Sequence, residues 1–297
     1  MAPGFTAAGA ASHRFGRLGE TLSMVRFSHT LFALPFALTG MLLAARGLPP
    51  APVVGWILLA MVAARTAAMT FNRLADRHLD AANPRTAGRS LPARRLSAPY
   101  VTGVFLAATG LLVLAAWRLN PLALRLTPLA LFILCGYSLS KRFTSFSHVV
   151  LGVALAGAPL GAWIAVRGDV SQEPFLLAAA VMFWTAGFDV IYALQDEEHD
   201  RRAGLHSLPV LLGPGGALWA ARIFHALTIV FLVALGYAAH LGWFYGAAVA
   251  ASAMLLLVEH LLVRPGDLSR LQLAFFRVNV ALGMIVLTGT LVDLLWS

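Results

Sequence analysis

Asn72, Asp76 and Asp80 stand four residues apart in NRLADRHLDAANPRTAGR, and Asp196 and Asp200 repeat the interval in FDVIYALQDEEHDRR. Residues four apart on a helix share one face and rise about 6 Å per step, so each set would form a ladder of oxygen ligands. The two sets are offset by 196 − 76 = 120 and 200 − 80 = 120 residues. Carboxylates converging on one place repel one another unless a cation lies between them. No cysteine and no paired histidine at zinc spacing accompanies them, which points to a hard divalent ion, Mg²⁺ or Mn²⁺. Mg²⁺ takes a few carboxylates together with phosphate oxygens rather than an all-protein cage, so a phosphorylated substrate fits better than a structural calcium site. A solvated acidic face at a membrane boundary would explain the polarity, but not the matched spacing.

The elements that must carry these residues are hydrophobic. Of 297 residues 59% are apolar and only 12% charged, with mean hydropathy +0.78, far from the roughly 45–50% apolar balance of soluble chains. Stretches long enough to cross a bilayer recur near 24–45, 51–72, 99–117, 120–139, 145–166, 173–194, 217–238, 241–263 and 271–296. LAATGLLVLAAW and ASAMLLLVEHLLV are continuously apolar, unlike the alternating segments of a membrane β-barrel. The expected fold is all-α, a polytopic bundle of about nine membrane helices around a central cavity. The two acidic motifs close the second and sixth spans, so an even number of crossings separates them and both lie on one face. This pattern suggests a parallel internal repeat. An ion-coupled transporter is the rival reading of buried carboxylates in such a bundle, but its acids belong near mid-membrane rather than at one face.

Charge sets the orientation. The net charge of +9 forms no basic tract with interleaved aromatics, so nucleic acid is not an expected partner. Arg14, Arg17 and Arg26, Arg73 to Arg95, Lys141/Arg142, Arg201/Arg202 and Arg264/Arg270 fall on one side; Arg46, Arg118, Arg125 and Arg167 fall on the other. The richer side is expected to be cytoplasmic. That places the N-terminus inside a cytoplasmic inner membrane, the C-terminus outside, and the site opening near the cytoplasmic face. Residues 1–22 read as a flexible cytoplasmic tail without an evident cleavable signal, and 23–297 as the membrane domain. Cys135 lies within a span as small filler. Guanidinium groups bind phosphate in bidentate fashion, and Arg65, Lys141 and Arg201 are the basic residues best placed to do so. Arg65 lies seven residues before Asn72, two turns deeper on the same face.

NRLADRHLDAANPRTAGR resembles the first aspartate motif of the UbiA-type intramembrane prenyltransferases, and DVIYALQDEEHDRR resembles their second. GYSLSKR supplies Tyr137 and Lys141 in a pattern similar to the family's Tyr-x-x-x-Lys element. The resemblance implies two Mg²⁺ ions beneath the diphosphate of a polyprenyl donor, one held by Asn72, Asp76 and Asp80 and the other by Asp196 and Asp200. Arg65 and Lys141 would contact the diphosphate, with Tyr137 nearby, and an aromatic acid would accept the prenyl group. Phe71, Tyr137, Trp184, Phe188 and Tyr192 flank the motifs as candidate aromatic walls for the prenyl cation, although aromatics at helical spacing are commonly packing. Arg26 and His29 are candidates for the acceptor carboxylate, with His29 equally suited to an interfacial role. Asp189 could orient the acceptor or take its proton. Asn72-Arg73 and Arg89-Ser90-Leu91-Pro92 resemble the 4-hydroxybenzoate polyprenyltransferase-like branch, part of which serves menaquinone synthesis from dihydroxynaphthoate by the futalosine route. Haem or another non-quinone acceptor is the alternative within the family.

Overall fold

The computed structural model describes residues 16–25, 30–264 and 266–296. Its helices are α1 (Gly16–Val25), α2 (Thr30–Ala45), α3 (Ala51–Ala75), α4 (Arg77–Ala82), α5 (Ala98–Leu119), α6 (Pro121–Ser140), α7 (Ser147–Arg167), α8 (Gln172–Ala193), α9 (Glu197–Arg202), α10 (Leu208–Ala238), α11 (Trp243–Leu262) and α12 (Asn279–Trp296). Among the described residues eight helical segments are long and apolar enough to cross a membrane, and Phe32–Ala45 is a shorter apolar helix. That is the all-α membrane bundle expected from hydropathy.

The walls follow chain order: α3 packs on α5, α5 on α6, α6 on α7, α7 on α8, α8 on α10, α10 on α11, and α11 on α12. α2 packs on α7 and α12. α8 is the most enclosed span, with Leu177, Val181, Trp184 and Ile191 fully buried. Apolar side chains gain little from one another in lipid, so helices approach through small residues that allow close backbone contact. At Gly40 of α2 a Cβ would lie 2.5 Å from the Pro159 carbonyl oxygen of α7, and one at Gly152 would strike the Met182 carbonyl of α8. Any side chain at either position would push the two helices apart.

Two boundaries differ from expectation. The span expected near 217–238 starts earlier, because α10 already begins at Leu208, where the Ser207 hydroxyl accepts from the Val210 N–H. Gly213, at φ 67° and ψ 171°, then turns the chain sharply ahead of Pro214. At the other boundary, residues 16–22, expected to lie in the flexible tail, belong to α1. Glu20, Thr21, Met24 and Val25 are buried there, and Met24 packs with Leu96 and Val101.

Candidate active site

Both acidic motifs interrupt their helices at the same residue. α3 ends at Ala75, Asp76 takes φ −94° and ψ 6°, and α4 follows; α8 ends in a 3-10 turn, Asp196 takes φ −104° and ψ −1°, and α9 follows. The first ladder is therefore not one straight helix. Its register survives, because the Asp76 N–H donates to the Asn72 carbonyl at 2.9 Å and the Asp80 N–H to the Asp76 carbonyl at 2.7 Å. Asn72, Asp76, Asp80, Asp196 and Asp200 all line one cavity of about 570 Å³.

At the mouth, cations bind these acids in a crossed pattern. Arg85, in the loop after α4, donates Nε to Asp196 Oδ1 at 2.8 Å and Nη2 to Oδ2 at 2.7 Å. Arg89 of the same loop donates to Asp80 Oδ1 at 2.6 Å. Arg142 donates to Asp76 Oδ1 at 3.3 Å, and Lys141 Nζ lies 3.7 Å from Asp200 Oδ2. Asn72 donates to Asp76 Oδ2 at 2.9 Å. Burial holds the Asp76 carboxyl above the ordinary carboxylate range, an effect the Arg142 hydrogen bond opposes. The loop is itself tied down: Ser90 Oγ donates to Glu20 Oε2 at 2.8 Å and Arg95 pairs with Glu20 Oε1 at 3.0 Å.

The donor set suits a hard cation that brings further oxygens with it. Asp80 Oδ2 and Asp200 Oδ2 are enclosed with no hydrogen-bond partner among the described residues, and the nearest ion-pair cations stand at 3.9 and 3.7 Å. No group of three or more His, Cys, Asp or Glu side chains among the described residues forms a metal cage. Two acidic half-sites facing one cavity leave coordination positions for substrate oxygen, which is how Mg²⁺ is commonly held.

Away from the mouth the cavity is apolar. Small residues of α3, α6 and α7 line it, among them Ala60, Ala64, Ala130, Gly157 and Ala162, and it reaches Ile57 near the far end of α3. The 19 positions from Ile57 to Asp76 correspond to ~28 Å along a helix. Beside the acids stands an aromatic wall. Phe32 and Phe188 lie 5.7 Å apart, Phe188 and Phe275 5.5 Å, and Tyr192 and Phe275 4.2 Å, all four lining the cavity.

Arg65, Tyr137, Lys141, Phe188, Asp189 and Tyr192 line the cavity, as the sequence suggested. Three others do not. Arg201 is about half exposed and pairs with Glu197, because Asp200 faces inward and the next residue is turned by about 100°. The same rotation carries Phe71 off the Asn72 face, onto Phe105 of α5 at 5.8 Å. Trp184 sits one layer behind the wall, 4.8 Å from the Phe188 ring, and donates Nε1–H to Asn279 Oδ1 at 2.6 Å. Arg26 and His29 lie outside the described residues. Arg85, Arg89 and Arg142 had read as ordinary positive-inside charge, and His148, fully buried against Asp189, went unread. Its only signal in the sequence was a histidine next to the apolar run that opens α7.

The fold and the site together define a polytopic helical membrane protein whose apolar cavity carries two acidic ladders, with basic groups at its mouth. Known proteins agree. The UbiA prenyltransferase family matches residues 33–281. A 4-hydroxybenzoate solanesyltransferase of Synechocystis sp. is 35% identical over 256 residues, covering 86% of this chain and 87% of that protein. A 4-hydroxybenzoate octaprenyltransferase of Tolumonas auensis is 30% identical over 260 residues, covering 88% and 90%. The apo structure of a UbiA homolog from Aeropyrum pernix K1 superposes with a TM-score of 0.81 at 34% identity, covering 89% of this chain and 98% of that one. The chain belongs to the UbiA prenyltransferase family and is a multi-pass membrane aromatic prenyltransferase.

Proposed function

We propose that the protein transfers a polyprenyl group from its diphosphate to a ring carbon of an aromatic acid in quinone biosynthesis, using Mg²⁺. The observation that carries this reading is the pairing of two acidic half-sites, one on each side of a single cavity that turns apolar beyond them. Asn72, Asp76 and Asp80 would hold one ion, and Asp196 and Asp200 a second. Bound there, Mg²⁺ would neutralise the charge that builds on a leaving diphosphate. A UbiA homolog from Archaeoglobus fulgidus, of the same fold at TM-score 0.70 and 18% identity, is bound to DMAPP and Mg²⁺, which supports the assignment.

The chain's own groups do the rest. Arg65 and Lys141, with Tyr137 beside them, line the acidic end of the cavity and suit the diphosphate oxygens. The apolar reach toward Ile57 suits a long isoprenoid tail and excludes water from the allylic cation. The faces of Phe32, Phe188, Tyr192 and Phe275 are the π surfaces against which that cation is stabilised. For the acceptor, 4-hydroxybenzoate is favoured by the names of the relatives, with dihydroxynaphthoate next on the Asn72-Arg73 and Arg89-Ser90 sequence departures. Arg26 and His29 are the proposed partners of its carboxylate. The positive-charge bias supports a cytoplasmic orientation for the acidic mouth.

Purified protein supplied with a polyprenyl diphosphate, Mg²⁺ and each aromatic acid in turn tests this. Prenylated 4-hydroxybenzoate or dihydroxynaphthoate should form, EDTA should abolish it, and added Mg²⁺ should restore it. Product formation that survives EDTA would remove the metal assignment, and failure with every aromatic acid would remove the acceptor class.

A further inference from the structure

His148 lies at the start of α7, and its ring is fully buried. Its Nδ1 meets Asp189 Oδ2 of α8 at 2.7 Å, and its Nε2 faces the backbone N–H of Leu208, the first residue of α10, at 3.4 Å. A backbone N–H can only donate, so Nε2 is the accepting nitrogen and carries no proton. The single proton of the neutral ring is therefore on Nδ1 and is donated to Asp189. Three helices thus fix one tautomer, which occupies Oδ2 and leaves Oδ1 for a ligand. Asp189 lines the cavity, flanked along α8 by Phe188 and Tyr192 of the aromatic wall, its side chain 20% exposed. It is seven residues from Asp196, ~10 Å along a helix. The ion pairs of Arg85, Arg89, Lys141 and Arg142 end on Asp196, Asp80, Asp200 and Asp76, not on Asp189. This carboxylate is set apart from those four ion pairs and lines the cavity together with Phe188 and Tyr192.

We infer that Asp189 accepts the proton the aromatic ring loses and that His148 is its positioning residue, holding the carboxylate oriented through Nδ1–H with Oδ1 free; this rests on the prenyl-transfer reading above. The donor's allylic C–O bond breaks with its electron pair on the diphosphate, and a ring π pair forms the new C–C bond. The substituted ring carbon then gives its proton to Asp189 Oδ1, and the C–H pair restores the aromatic sextet. The proton passes to the released diphosphate, which leaves the carboxylate ready for the next turnover. Where the proton is not taken, the new C–C bond reopens and water captures the cation as prenyl alcohol.

The test is the partition of product. Wild-type protein, His148→Phe, His148→Gln and Asp189→Asn are each given polyprenyl diphosphate, Mg²⁺ and the aromatic acid that wild type prenylates. Diphosphate, prenylated acid and prenyl alcohol are then quantified separately. Wild type should release diphosphate and prenylated acid in equal amounts. His148→Phe and Asp189→Asn should lower acid prenylation by about a hundredfold, lower diphosphate release far less, and divert the difference to prenyl alcohol. His148→Gln, which retains a donor, should recover part of the coupling. Coupling that stays at one to one in Asp189→Asn or His148→Phe would overturn the inference, as would parallel loss of both products in every variant that retains the wild-type KM for the donor. If His148→Phe does not fold, His148→Gln and Asp189→Asn decide the matter. Failure of wild type itself to prenylate any aromatic acid would instead sink the reading on which the inference rests.

Discussion

The two acidic motifs match in their aspartate pairs and in backbone, each breaking its helix at its first aspartate, but they differ in where their cations come from. Asp76 and Asp80 draw on Arg142 and Arg89, and Asp80 also has Arg73 at 3.9 Å. The second motif has two arginines of its own, yet Arg201 and Arg202 are engaged one turn back with Glu197 and Glu198. Asp196 instead receives Arg85 from the loop of the first motif, and Asp200 faces Lys141 from the end of α6. The aspartate spacing is therefore matched between the two motifs, but the counter-charge is not. The first half of the chain supplies most of the cationic mouth for both halves.

If the ligand halves are equivalent, Asp76→Asn and Asp196→Asn should each lower kcat by about a hundredfold or more, with little change in thermal stability, since they serve charge development on the leaving group. A loss confined to one of the two would break the equivalence. The cation asymmetry predicts a middle effect: Arg85→Ala should cost about tenfold in kcat/KM, because it removes a bidentate charge-assisted pair. Glu20→Gln, which loosens the anchor of the loop carrying Arg85 and Arg89, should reduce turnover by about threefold and raise the susceptibility of that loop to limited proteolysis. Arg201→Ala should be smallest, within about 1.5-fold of wild type, as expected for an exposed i,i+4 pair. Were Arg201→Ala to match Arg85→Ala, the second motif would be using its own arginine after all.

Much of this architecture was legible in the residues. A continuous apolar run of bilayer length has few alternatives to a membrane helix, so most spans emerged to within a turn, although α10 begins at Leu208 rather than near 217. Four-residue spacing carried Asn72, Asp76, Asp80, Asp196 and Asp200 to one cavity. What spacing could not show was the behaviour of long flexible side chains. Arg85 and Arg201 are both arginines next to a motif, and only the path of the loop separates the one that crosses to Asp196 from the one that folds back on Glu197. Phe71 was misplaced for a simpler reason, since adjacency in sequence to a ligand turns a helical side chain away from it. His148 needed its partner from another helix, 41 residues on, before a single histidine in an apolar run acquired chemistry.

The Arg85–Asp196 pair spans 111 residues, from the loop after the first acidic motif to the second motif. It makes the chain hard to recombine. A chimera joined between α6 and α7 would inherit a complete ligand ladder from each parent and still separate a carboxylate from the guanidinium that evolved with it. Crossovers that keep residues 85 and 196 from one parent should yield active hybrids more often than crossovers that split them, and the halves of such proteins are expected to diverge in step.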